Sequence, residues 1–248
     1  MIEYIINSIK ESEVDTNPFS HIYINGFFEK NFYNNILNFL PHKNEYIPLN
    51  KTGLVSENYP PERFTIDINS VTLSKFKGEQ NSVFNNIYKA FLSNEFFGAV
   101  ASKFKKTLDD RIFKFSEDEI KSFGKNNFQF EARISLVKDY TKYQLGAHTD
   151  SPRKFLTFLF YLPKDESLKD IGTSLYKPLN SDFKLSYESH YSKVETDKNF
   201  EEIKKVPFLP NSVLIFPRTN FSFHGVSSIN IGSFERNLLL LNFYFKKI

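Results

Sequence analysis

The second half of the chain is a succession of short strand-like segments with no helical pattern between them, and this arrangement constrains the fold most. The segments are rich in β-branched and aromatic residues, and clusters of Gly, Pro, Asn and Asp separate them. They cover residues 128–137, 155–162, 173–178, 213–216 and 236–245. Short strands without crossover helices favour a β sandwich or barrel over an α/β sheet.

The first half has a different character. Alternation predicts a strand over residues 18–28, and helical spacing of apolar residues predicts helices over 29–40 and over 81–106, the latter broken near Ser93 and Asn94. A capping-box pattern, Ser-Glu-Asp-Glu, predicts a short helix over residues 116–123. We therefore expect one domain, mainly β with N-terminal helices.

Two segments lack regular patterns. Residues 41–63 contain four prolines and a glycine, and the residues between Pro178 and Pro207 are mostly Ser, Lys, Glu and Asp. Loops of this length are often functional, so we predict that residues 46–64 and the segment between Pro178 and Pro207 contribute substrate contacts over the β core. The expected organisation is a helical support region (1–127) and a β core (128–248) with an insertion at about 179–206.

Composition excludes several classes of protein. The chain has 29 Phe and 13 Tyr but no Cys, so disulfides, thiolate metal sites and cysteine nucleophiles are excluded. A net charge of +3 with scattered lysines does not favour nucleic-acid binding. The N-terminus has no signal-peptide pattern, and no apolar run approaches the roughly 20 residues of a membrane span. We expect a cytoplasmic protein without a membrane span.

The sequence Leu-Gly-Ala-His-Thr-Asp contains His148 and Asp150, two residues apart. On an extended strand both side chains point to the same face. A further histidine, His224, follows an apolar strand candidate. Two imidazoles and one carboxylate form the ligand set typical of non-haem Fe(II) oxygenases, which leaves coordination positions open.

Arg236 opens the last apolar strand, 12 residues after His224. A buried guanidinium without a partner is costly, whereas a planar cation grips a carboxylate in two places. We therefore predict that Arg236 anchors the distal carboxylate of a dicarboxylate co-substrate.

The order of these motifs resembles that of the 2-oxoglutarate/Fe(II)-dependent dioxygenases, in particular the prolyl-4-hydroxylase-like group. The order is His-x-Asp, then His-Gly-Val, then an arginine before a hydrophobic strand. The segments 155–163, 172–176 and 207–216 resemble that group as well. The resemblance implies a double-stranded β-helix (a jelly-roll, cupin-like core), with Fe(II), 2-oxoglutarate and O2 as cofactor and co-substrates and a hydroxylated substrate.

The same resemblance implies roles for individual residues. His148, Asp150 and His224 would be the catalytic metal ligands and Arg236 the carboxylate anchor, while Thr157 and Tyr140 would lie near the co-substrate. The chain departs from prolyl hydroxylases at Leu145, where that group has tyrosine, and at Arg236, where it has lysine. Both departures argue against peptidyl-proline as the substrate.

Alternatives remain beside this hypothesis. A cupin-like protein could bind metal or ligand without 2-oxoglutarate, and a nucleic-acid demethylase would require a basic groove. Asp150 argues against a halogenase, which needs a vacant ligand position. His21 and His42 fit structural or solvated positions, and a solvated position is also favoured for His190 in the insertion. The sequence leaves open whether the substrate is an amino acid, a peptide, a sugar or a lipid-linked glycan.

Overall fold

Eleven strands are described by the computed structural model, which covers residues 1–113, 128–140, 142–180, 190–227 and 234–247. In chain order they are β1 (Ile22–Asn25), β2 (Ile47–Pro48), β3 (Arg63–Asp67), β4 (Phe128–Tyr140), β5 (Leu145–His148), β6 (Lys154–Tyr161), β7 (Thr173–Pro178), β8 (Phe200–Val206), β9 (Ser212–Pro217), β10 (His224–Val226) and β11 (Glu235–Lys247). They form two sheets whose neighbouring strands are antiparallel.

The larger sheet has the order β1-β9-β6-β11-β4-β3-β2, and the smaller has the order β5-β10-β7-β8. A buried apolar cluster joins the two sheets at one end. It includes Val137, Tyr161 and Leu238 from the larger sheet and Leu175 and Val206 from the smaller one. The space between the sheets is therefore closed at this end.

Helices cover the other face of the larger sheet. They are α1 (Ile2–Glu11), α2 (Lys30–Asn38), α3 (Ser70–Lys75), α4 (Gly78–Phe91), α5 (Asn94–Lys103) and α6 (Lys105–Phe113), and α7 (Lys193–Asn199) lies beside β5 in the smaller sheet. The main core lies between these helices and the sheet and is rich in Phe. Phe91 of α4, for example, stacks on Phe160 of β6 with ring centroids 4.9 Å apart. No helix within the described ranges has the length and apolar character needed to cross a membrane.

The predicted class, mainly β with helices, is confirmed, and so are the five strands predicted after residue 128. The helix predicted over 81–106 is broken as expected. Ser93 is the N-cap of α5, and its side chain accepts a hydrogen bond from the Phe96 amide. The helix predicted over 116–123 lies outside the described residues.

Two boundaries differ from the prediction. The N-terminal region is more than a helical support, because β1, β2 and β3 are strands of the larger sheet. The predicted insertion is also partly regular: its residues 193–206 form α7 and β8, and β8 pairs with β7. Charged residues dominate β8 because it is the edge of its sheet, with only its two end residues, Phe200 and Val206, buried.

Candidate metal centre and the cleft around it

Strands β5 and β10 bring the three predicted ligands together. His148 and His224 are direct partners in the antiparallel register of the two strands, and Asp150 follows two residues after His148. One ligand atom from each of the three residues lies within 4.8 Å of the other two, and all three residues are buried. Among the described residues, no other group of three His, Asp or Glu side chains could hold a metal ion.

Glycines permit the close packing that holds these strands. A Cβ atom on Gly225, next to His224, would lie 2.5 Å from the carbonyl oxygen of Leu145 on β5. A Cβ atom on Gly146 would lie 2.0 Å from the carbonyl oxygen of Tyr191 on the other side. Both positions therefore exclude a side chain, and they fix the spacing of the two histidine-bearing strands.

Backbone carbonyls orient both imidazoles. Nδ1 of His148 lies 3.0 Å from the Gly146 carbonyl oxygen, and Nδ1 of His224 lies 3.0 Å from that of Ser222. A carbonyl only accepts hydrogen bonds, so each Nδ1 carries the proton and each Nε2 keeps a lone pair for a metal. Burial lowers the pKa of both histidines, that of His148 strongly, and this favours the neutral, ligating form.

The carboxylate of Asp150 is held at both oxygens. Lys154 donates to Oδ1 at 2.7 Å, and the Thr157 hydroxyl donates to Oδ2 at 2.5 Å. Burial alone would raise the pKa of Asp150, but the Lys154 ammonium holds it well below its usual range. The buried guanidinium of Arg218 also donates to the Asp150 backbone carbonyl at 3.1 Å. The ligand is therefore ionised and fixed in position.

Arg236 lies on the cleft face of β11 with 1% of its surface exposed. It has a protein partner, because its Nη1 donates to Asp139 Oδ2 at 3.1 Å. Asp139 is shared: Arg63 grips the same carboxylate through two hydrogen bonds of 2.6 and 2.8 Å. Two guanidiniums against one carboxylate leave one net positive charge, and Nε of Arg236 has no hydrogen-bond partner. The cluster can still accept an anion.

Thr157 and Tyr140, both predicted to lie near the co-substrate, lie in different places. Thr157 is beside the metal ligands through its bond to Asp150. The Tyr140 side chain lies on one face of β4 and the Asp139 side chain on the other. The Tyr140 ring lies under the Lys43 ammonium and edge-on to Phe64. It is not among the described residues that line the cleft, so the structure does not bring Tyr140 to the site.

Four other residues of the site were not singled out in the sequence: Asp139, Lys154, Tyr161 and Thr173. The buried Tyr161 hydroxyl donates to Thr173 Oγ1 at 2.7 Å, and Arg236 Nη2 lies 3.5 Å from the same oxygen. Burial raises the pKa of Tyr161 to about 12, so it stays a hydrogen-bond donor. The only sequence signal for these residues was polar character within apolar strands.

His190 is nearer the site than predicted. Its ring stacks on His148 with centroids 5.0 Å apart and planes at 17°, and its backbone forms an isolated bridge with the same residue. The side chain is exposed and lines the cleft. The predicted insertion thus reaches the metal ligands at His190.

A cleft of about 1340 Å³ connects the candidate metal ligands with the arginine cluster. Its lining includes the three candidate ligands and His190 at one place and Arg63 and Arg236 at another. Leu159, Leu238 and Leu240 lie on the wall of the larger sheet between them. A metal site and a cationic anchor therefore open into one partly apolar cavity.

Comparison with known proteins identifies the architecture. No protein-family profile and no curated sequence matches this chain. A prolyl 4-hydroxylase from Phytophthora capsici is similar in structure, with a TM-score of 0.50 and 16% sequence identity, over 98% of this chain and 65% of that one. A prolyl hydroxylase from Trichoplax adhaerens, solved with a peptide of hypoxia inducible factor, gives a TM-score of 0.51 at 12% identity over 98% and 88%.

The chain spans less than two thirds of the length of the Phytophthora protein. At identities this low, the structural similarity shows a common fold only. The activity has to be argued from the site itself. The predicted double-stranded β-helix is confirmed. This chain has the fold of these prolyl hydroxylases.

Proposed function

We propose that this protein is an Fe(II)- and 2-oxoglutarate-dependent dioxygenase that hydroxylates an unactivated C–H bond of its substrate. One observation carries the proposal: a His-Asp-His ligand set and a buried arginine with an unpartnered Nε line the same cleft. A ligand with a chelating group at one end and a carboxylate at the other would bind the metal through the first and Arg236 through the second. 2-Oxoglutarate has this form.

The donor set fits iron. Two neutral imidazoles and one carboxylate leave a divalent ion with a net positive charge and open positions. His148 and His224 would bind it through Nε2, and Asp150 would bind it through the oxygen that faces the histidines. When bound, the metal would supply the oxidation of a C–H bond by O2, with 2-oxoglutarate leaving as succinate and CO2.

The remaining residues have positioning roles in this proposal. Lys154 and Thr157 fix the Asp150 carboxylate, which keeps the ligand geometry in place between turnovers. Arg236 would receive the distal carboxylate of the co-substrate, with Tyr161 and Thr173 as neighbouring hydroxyls. The leucines between the two ends would exclude water from the co-substrate chain.

A second candidate is a cupin-like protein that binds metal or another ligand without 2-oxoglutarate. The Asp139–Arg236 ion pair favours it, because a guanidinium with a protein partner is stable without a bound dicarboxylate. Arg236 separates the two functions. Under the second candidate, replacement of Arg236 leaves ligand binding unchanged.

The test is an anaerobic titration of the metal-free protein with Fe(II) and then 2-oxoglutarate, followed by visible absorption. Chelation of the 2-oxo acid produces a charge-transfer band, which we expect in the wild type. Arg236→Leu should weaken 2-oxoglutarate binding at least tenfold, because it removes the charged contact to the distal carboxylate. Arg236→Lys should restore part of it.

Asn237→Leu is the matched control. Asn237 is the next residue on β11, and its amide pairs with Lys138 and Glu235 at the surface. We expect its band and its affinity for 2-oxoglutarate to equal those of the wild type. Two results would favour the second candidate. One is iron binding without the charge-transfer band in the wild type, and the other is an unchanged affinity of Arg236→Leu for 2-oxoglutarate.

A further inference from the structure

Asn242 is a buried polar residue in the cleft for which the proposed reaction has no use. It is 5% exposed, and its side-chain Oδ1 has no hydrogen-bond partner. In the strand register it lies between Arg133 on β4 and Thr157 on β6. Since Thr157 holds Asp150, the Asn242 amide is one strand away from a side chain bonded to a candidate metal ligand.

The lack of a hydrogen-bond partner for Asn242 Oδ1 is unusual for this face of the sheet. Thr157 is bonded to Asp150, and Arg133 is paired with Asp67 through Nε and Nη2 at 2.7–3.1 Å. Six buried side-chain atoms of the described residues have no partner, and only those of Arg236 and Asn242 belong to residues that line the cleft. An unpaired buried acceptor lowers the stability of the fold, and a ligand that donates a hydrogen bond to it offsets that loss.

We propose that Asn242 marks the substrate subsite and that it recognises a carboxamide or peptide group; this inference rests on the proposed function, which puts the oxidised C–H bond near Asp150. A side-chain amide offers an acceptor and a donor in one plane, and rotation about χ2 turns either toward the cleft. An amide of the substrate can pair with this acceptor and this donor at the same time. One amide of the substrate is thereby held beside the metal.

The surroundings favour a neutral group over a charged one. The charged side chains on both sides of Asn242 are already in ion pairs, Arg133 with Asp67 and, beyond Thr157, Lys154 with Asp150. Leu240 and Leu159 form the adjacent wall toward Arg236. A free carboxylate or ammonium placed at Asn242 would lose water without gaining an unpaired counter-ion, whereas an amide would lose less and gain two hydrogen bonds.

The experiment uses N-acetylglycinamide as the probe, with protein loaded with Zn(II) and 2-oxoglutarate so that no turnover occurs. Its dissociation constant is measured by ligand-observed NMR titration. We expect saturable binding to the wild type and at least tenfold weaker binding to Asn242→Leu, which keeps a similar volume but has no polar atoms. Asn237→Leu should bind the probe as the wild type does.

Thermal unfolding of the metal-free variants shows whether a loss of binding reflects damage to the fold. Since Asn242→Leu removes an unpaired buried acceptor, its melting temperature should equal or exceed that of the wild type. Absence of probe binding to the wild type, or equal binding to a stably folded Asn242→Leu, overturns the proposal. Tighter, Asn242-dependent binding of methyl glucoside than of the amide overturns it in favour of a glycan.

The failures of the two proposals are distinguishable. The charge-transfer band is measured on proteins that keep Asn242, and it tests 2-oxoglutarate chelation. A band without Asn242-dependent amide binding leaves the dioxygenase proposal standing and rejects the subsite. Amide binding that depends on Asn242 supports the subsite, whether or not the band forms.

Discussion

The two faces of the larger sheet come from the same strands but have opposite chemistry. Toward the helices, alternate residues are apolar: Leu156, Phe158 and Phe160 on β6, and Leu239, Leu241 and Phe243 on β11. Toward the cleft, the residues between them include Thr157 and Tyr161 on β6 and Arg236 and Asn242 on β11. A strand has period two, so a single sequence can satisfy both faces.

The difference shows where stability and binding reside. The helix face buries apolar area and packed aromatic rings, which supply most of the favourable free energy of folding. The cleft face buries charges and amides, several of them paired and two of them with an atom that has no partner. Polar groups kept buried at some cost to stability are typical of binding sites. Substitutions on the two faces should therefore differ in kind.

Phe158→Ala gives the largest effect and tests the helix face. Phe158 is fully buried and contacts the rings of Phe96, Phe160 and Phe243. Its truncation should lower the free energy of unfolding by about 3–5 kcal/mol, as measured by urea denaturation. Co(II) affinity, measured by calorimetry below the unfolding transition, should remain that of the wild type. A large loss of Co(II) affinity would show that the two faces are coupled.

Thr157→Val gives a smaller effect and tests the cleft face one residue away. The substitution keeps the shape of the side chain but removes the hydroxyl that donates to Asp150 Oδ2. We expect Co(II) affinity to fall by about 10–100-fold, the usual effect of losing a hydrogen bond to a metal ligand.

Thr65→Val is the matched control for that substitution. Thr65 is also buried and lines the cleft, but its hydroxyl donates to the Leu136 carbonyl rather than to a ligand. Its Co(II) affinity should not change. Equal affinities in the wild type and both variants would remove Thr157 from the metal centre.

The sequence predicted the parts of this site that depend on local spacing. His148 and Asp150 share a face because they are two residues apart on one chain segment. The strand segments after residue 128 were predicted because apolar runs bounded by Gly, Pro and Asn are a local signal. His224 and Arg236 were predicted from their order along the chain.

The parts that depend on pairing between distant strands were missed. Asp139 meets Arg236 only through the register of β4 and β11, and no local pattern predicts that register. Edge strand β8 was read as a loop because its exposed residues are charged. His190 reaches His148 by a tertiary contact without a periodic signal.

The pH dependence of stability gives the smallest effect and compares a histidine outside the cleft with the two inside it. His21 is fully buried beside Phe19, in the apolar cluster that closes the space between the sheets. Its Nδ1 lies 2.8 Å from the Phe19 carbonyl oxygen, and its Nε2 lies 3.3 Å from Lys204 Nζ. Burial lowers the pKa of His21, as it does for His148 and His224.

A histidine whose pKa is lowered by folding destabilises the native state only when the unfolded chain can bind its proton. Above pH 6.5 there is no effect, and below it stability falls with pH until the folded pKa is reached. Between pH 6.5 and 5.5, His21→Gln should reduce this loss by at most about 1.4 kcal/mol, as measured by urea denaturation of the metal-free proteins. The remaining slope belongs to the cleft histidines. Saturating Zn(II), which binds only their neutral forms, should add stability across this pH range. Absence of that gain would mean that His148 and His224 do not bind the metal.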